Sequence, residues 1–103
     1  MEIREAQLLI RETYSERDRA RGSALTALHM VEEVGELLEA VRNGRDSELR
    51  EEFADVFAWL LSLADLLGVD LEEAFLERYG SGCPKCGSKP CSCPPVPSGR
   101  WVR

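Results

Sequence analysis

Leu28-His29-Met30-Val31-Glu32-Glu33-Val34-Gly35-Glu36-Leu37, and the stretch Glu52-Phe53-Ala54-Asp55-Val56-Phe57-Ala58-Trp59-Leu60-Leu61 that begins fifteen residues after Leu37, decide the fold. In both, apolar residues recur at helical spacing and acidic residues fall three or four apart. Glu32/Glu36, Glu33/Glu36 and Glu52/Asp55 each therefore share a helix face. Like charges stacked this way cost roughly a few tenths of a kcal/mol on an exposed helix, and more beside Val31, Val34, Leu37, Leu38, Phe53, Val56 and Phe57. A hard divalent cation, Mg²⁺ or Mn²⁺, offsets that cost, because it takes carboxylate oxygens and keeps positions open for water and phosphate. The other common origin of such a pattern is a solvated acidic face, since Glu is a good helix former.

Outward from these two strings the chain reads as four helices. The first spans about Glu2 to Asp18, with Ile3, Gln7, Ile10 and Tyr14 on one stripe, and the charged run from Ser15 to Gly22 either continues it or forms a loop. Ser23 is the expected N-cap of the second helix, about Ala24 to Arg42, which stops at Asn43-Gly44. Asp46 or Ser47 is expected to cap the third, whose residues Leu49, Phe53, Val56, Phe57, Leu60, Leu61, Ala64 and Leu67 form a broad face predicted to be buried; Gly68 closes it. Asp70 and Glu73 suggest a capping box for a short fourth helix ending near Tyr79. From Gly80 the composition changes to four Cys, five Pro and four Gly, too punctuated for a helix and too poor in aliphatic residues for a core. The expected organisation is a helical domain over 1–79, a cysteine segment over 80–94 and a flexible tail over 95–103.

The length of 103 residues bounds the chain to one small domain, which buries only about 60 to 70% of its unfolded surface, so help from oligomerisation or metal is expected. A net charge of −6 without a basic tract argues against non-specific nucleic-acid binding. The N-terminus lacks the apolar core of a signal peptide, and the most apolar stretch, Val56 to Leu67, is too short and interrupted to span a bilayer, which points to a cytoplasmic protein without a membrane partner.

The pattern E-E-x-x-E followed by E-x-x-D resembles that of the MazG-like all-α nucleoside triphosphate pyrophosphohydrolases, a superfamily that includes MazG, dimeric dUTPases, dCTP pyrophosphatases and phosphoribosyl-ATP pyrophosphohydrolase. The resemblance covers roughly residues 1 to 79 and rests on five acidic positions at once. It implies an oligomeric four-helix bundle, a homodimer or homotetramer. It also implies Mg²⁺ (or Mn²⁺) held by Glu33, Glu36, Glu52 and Asp55, with Glu32 as a further ligand or the group that orients the attacking water. The implied reaction splits a (deoxy)nucleoside triphosphate between the α and β phosphates into monophosphate and pyrophosphate. It further implies a basic residue from the last helix or a partner subunit on the substrate phosphates, for which Arg78 is the candidate ahead of Arg17, Arg19, Arg21, Arg42 and Arg45.

Other residues carry two readings. Gly35, inside the second helix, costs about 1 kcal/mol relative to Ala and points to close packing or to close approach of a nucleotide. His29 is either a rim residue or a nucleotide contact, and Phe57 and Trp59 either core, subunit interface or a base platform. Cys83-Pro84-Lys85-Cys86-Gly87 is a zinc-knuckle string, and Cys91-Ser92-Cys93 completes a C-x2-C-x4-C-x-C set able to hold structural Zn²⁺ without a ligand from elsewhere. Disulfides compete as an explanation, with three connectivities. Two rivals to the hydrolase remain: a non-enzymatic dimeric module with a zinc-binding adaptor tail, and a phosphoribosyl-ATP pyrophosphohydrolase.

Overall fold

The helical periodicity becomes four α-helices in the computed structural model, which describes residues 1–95: α1 (Ile3–Arg21), α2 (Ser23–Asn43), α3 (Asp46–Leu66) and α4 (Leu71–Tyr79). No strand occurs among the described residues. The flexible tail expected over 95–103 falls, beyond Pro95, outside them. None of the helices is long and apolar enough to cross a membrane.

The charged run at 15–22 continues α1 instead of forming a loop. Asp18 and Arg21 sit one turn apart and pair at 2.9 Å, so their charges support the helix they were expected to end. Gly22 then breaks it at φ 86°, its N–H donating to the Asp18 carbonyl at 2.9 Å. Gly22 also occupies the N-cap position of α2, so Ser23 is the first helical residue and not the cap. Asp46 and Ser47 are likewise helical, with Arg45 in the capping position of α3. Their acidic and polar side chains act from the first turn, where Asp46 and Glu48 face the positive end of the helix dipole.

Gly44, left-handed at φ 68°, and Arg45 are all that separate α2 from α3. So short a link turns the chain back on itself, and α2 and α3 make the principal helix pairing, with α1 packed mainly on α3. Gln7, buried on α1, ties the end of α3 to the start of α4: its Nε2 donates to the Val69 carbonyl at 2.7 Å and its Oε1 accepts from the Leu71 N–H at 3.0 Å. Arg4 with Asp70 and Glu72, and Arg11 with Asp65, frame that clamp with exposed ion pairs. Such pairs add little stability but fix orientation.

The face of α3 predicted to be buried is only partly so. Leu61 and Ala64 are enclosed, whereas Phe53, Phe57 and Leu67 are exposed. α2 likewise exposes Leu25, Leu28, Val31, Leu38 and Val41, each over more than half its surface. The apolar stripes are wider than the contacts within one chain can cover. Gly35 lies on the α2 stripe, and a Cβ built there meets nothing within 4 Å, so no close packing involves it within the chain.

Two compact units can be distinguished. Met1–Glu72 contains α1, α2, α3 and the start of α4, and the second unit begins at Glu73. In the second, the stacked rings of Phe75 and Tyr79 lie 5.4 Å apart, and no residue from 73 to 95 is fully buried.

Candidate metal centre

The turn at Gly44-Arg45 sets which residues of α2 and α3 face each other. One carboxylate oxygen from each of Glu33, Glu36 and Glu52 lies within 4.8 Å of the others. Glu33 Oε2 and Glu52 Oε2 are buried without a hydrogen-bond partner. An acceptor removed from water and left unpaired costs free energy, more so when charged. Glu33 responds accordingly: burial first, then the charges of Glu36, Asp55 and Glu52, push its carboxyl up to about 7. Burial, Glu36 and Asp55 also raise Glu52. The arrangement is under-neutralised, and a cation between α2 and α3 would supply what it lacks. The donor set, all carboxylate oxygen, suits a hard divalent ion.

The other two sequence candidates are placed differently. Asp55 is exposed and close enough to raise both Glu33 and Glu52, but is not one of the three converging groups. Glu32 is not one of the converging groups either, and its Oε2 lies 3.5 Å from His29 Nδ1. A shallow cleft of about 270 Å³, lined by Glu36, Glu39, Ala40, Asn43, Glu48 and Glu52, opens beside the cluster towards the turn.

A second cleft, of about 310 Å³, opens on the Asp55 side, where Tyr14, Arg17, Asp18 and Arg21 of α1 meet Asp55, Ala58, Trp59 and Ser62 of α3. Trp59 is half-buried, and its ring stacks on His29 at 4.9 Å and 13°. The Arg21 guanidinium lies 4.7 Å from the same ring. Arg21 is held in place by Asp18 at 2.9 Å and by the hydroxyl of fully buried Thr26 at 3.0 Å, which in turn donates to the Gly22 carbonyl. Sequence reasoning placed Arg21 behind Arg78. The available signal was Asp18-x-x-Arg21-Gly22-x-x-x-Thr26, a helix end with a buried anion waiting for its cation. Arg78 belongs to the second unit, 5.9 Å from the Tyr79 ring.

In that second unit the four thiols Cys83, Cys86, Cys91 and Cys93 are free, and their sulfurs all lie within 4.8 Å of one another. Hydrogen bonds from Ser92 draw Cys86 down to about 5, while the neighbouring sulfurs of Cys91, Cys83 and Cys86 push Cys93 up to about 12.

The family model described as the MazG nucleotide pyrophosphohydrolase domain matches residues 21–86, well over half of the chain, and spans both acidic strings. No curated protein matches the chain.

Proposed function

The chain belongs to the MazG nucleotide pyrophosphohydrolase family, and from that premise we propose that it is a Mg²⁺-dependent hydrolase of (deoxy)nucleoside triphosphates. It cleaves between the α and β phosphates to give monophosphate and pyrophosphate, and its work is removal of surplus or noncanonical nucleotides in the cytoplasm. The observation that carries this reading is the convergence of Glu33, Glu36 and Glu52 with two buried, unpartnered oxygens.

Glu33, Glu36 and Glu52 would hold the metal, with Asp55 completing the set from the same face of α3. When bound, the ion supplies Lewis-acid polarisation of phosphate oxygens and a template for the triphosphate. The protein's own groups do the rest. Arg21, fixed by Asp18 and Thr26, and Arg17 beside it carry positive charge in the cleft that also contains Asp55, and are suited to the polyphosphate. The Trp59–His29 stack offers an aromatic edge to the base. Glu32, outside the converging carboxylates, is the group proposed to accept the proton of the attacking water through Oε2, the oxygen facing His29 Nδ1. Arg78 remains a phosphate ligand in this reading only by reaching a site from the second unit or from a partner subunit. The broad apolar stripes on α2 and α3 support assembly as a homodimer or homotetramer, completing a four-helix MazG-like bundle.

The test is pyrophosphate release from a panel of standard and modified nucleoside triphosphates, with Mg²⁺ and with a chelator. Metal-dependent release with a monophosphate product is expected. Silence across the panel from folded protein would overturn the reading; turnover of phosphoribosyl-ATP would then identify that activity, and none at all would leave the adaptor.

A further inference from the structure

Among the described residues the segment after α4 contains no core, yet it has a defined turn built around four sulfurs. We propose that Cys83, Cys86, Cys91 and Cys93 form a closed site for one zinc ion per chain, and that this ion folds the segment. The inference is independent of the hydrolase reading, since the carboxylate centre lies in the other unit.

Geometry carries the assignment. Zinc–sulfur bonds of about 2.3 Å arranged tetrahedrally require sulfurs about 3.8 Å apart. Cys83 Sγ and Cys93 Sγ are 3.8 Å apart, and Cys86 Sγ and Cys91 Sγ 3.9 Å. A disulfide would bring two sulfurs to about 2.05 Å. The thiols therefore have the spacing of ligands around a shared centre, not of bonded pairs. Backbone amides already point at them: the Ser92 N–H donates to Cys86 Sγ at 3.3 Å and the Cys93 N–H to Cys91 Sγ at 3.4 Å. Such bonds favour thiolate, the form that binds metal.

The backbone is shaped to the same end. The Cys83 N–H donates to the Ser88 carbonyl at 2.9 Å, and the Gly87 N–H to the Cys83 carbonyl at 2.6 Å, closing a turn that brings Cys83 and Cys86 to one side. Gly82 enters it at φ 107°, where a Cβ would sit 2.6 Å from the Ser88 carbonyl oxygen. Apolar burial does little to offset the entropy of ordering this loop: no residue from 73 to 95 is fully buried, and Phe75 and Leu76 are exposed. Metal binding free energy serves as folding free energy in segments of this size. Soft thiolates in a tetrahedral set suit zinc and not a hard ion such as Mg²⁺, and four of them leave no open coordination position, so the ion is structural and not catalytic.

The experiment uses the full chain and does not read hydrolysis. Elemental analysis of protein purified without added metal is expected to give one zinc per chain, and none in a Cys83→Ser/Cys91→Ser double variant. In the variant, limited proteolysis should cut beyond residue 79 while the helical signal persists. Cobalt substitution of the unaltered protein gives a second readout, the intense visible bands of tetrahedral thiolate coordination, in case the variant does not fold. Iron in place of zinc, no uptake of zinc on titration of the reduced protein, or a mass lower by four hydrogens, the mark of two disulfides, would each overturn the proposal.

Discussion

The carboxylates between α2 and α3 and the thiols after α4 are both clusters of groups able to hold a metal ion, but their scaffolds differ in what they do without one. Around Glu33, Glu36 and Glu52 the helices are formed by their own hydrogen bonds and by contact along the pair, so the cluster is a local cost set against other sources of stability. Around the cysteines, among the described residues, the cluster has no buried core beside it, only a few turn hydrogen bonds. One site is imposed on a structure; the other makes the structure. A helix pair can therefore afford an open, weakly held ion suited to turnover, whereas a loop without a core needs a closed and tightly held one.

The sharpest way to break that contrast is to remove a helical carboxylate. Glu36→Ala should lower pyrophosphate release by about 100-fold or more, while thermal unfolding of the metal-free protein stays unchanged or rises because like-charge repulsion is relieved. A fall in melting temperature of the metal-free protein would mean that the carboxylates are structural after all. Dialysis against metal-free buffer should next separate the sites by affinity. Hydrolysis should vanish and return with Mg²⁺ while the zinc content, measured on the same sample, does not move.

A smaller effect separates them by pH. Glu33 keeps its proton to about 7 in the folded chain, against an ordinary value of 4.5. Between those values the folded state binds more protons than the unfolded one, so stability of the metal-free protein falls as pH rises across that window. Melting temperatures measured from pH 4.5 to 7.5 should show the decline, and Glu33→Gln should flatten it. A decline of equal slope in the variant would assign it to other groups.

Two glycines give the last comparison. Gly82→Ala collides with the Ser88 backbone and should abolish zinc retention, whereas Gly35→Ala meets open space and should stabilise α2 by about 1 kcal/mol. Loss of self-association in the Gly35 variant, seen by light scattering, would instead show that a second copy packs against that stripe.

The acidic strings were legible because ligand spacing and helical period coincide: Glu33, Glu36 and Glu52 stand one above another and across from one another for the same reason that their neighbours form helices. The four-cysteine set was legible for its residue types, though not for its geometry. The Arg21–Trp59–His29 stack was not legible, because those residues lie on three different helices and only the packing of both α1 and α2 against α3 unites them. Nor was the half-open face of α3, since an apolar stripe records that something covers it but not which chain. The end of α1 was obscured by its charge, where an Asp–Arg pair at one-turn spacing reads as solvated until one partner is found buried.

The two-residue link between α2 and α3, helices of 21 residues each, acts as a ruler. Counting outward from it, Ala40 and Glu48 share a cleft, Glu36 comes opposite Glu52, and Glu33 lies within electrostatic reach of Asp55. Each carboxylate is thus addressed by its distance from the bend and not by attraction to its counterpart, which it repels. A substitution at one of these carboxylates therefore changes the chemistry at that address without changing the register of the helices that define it.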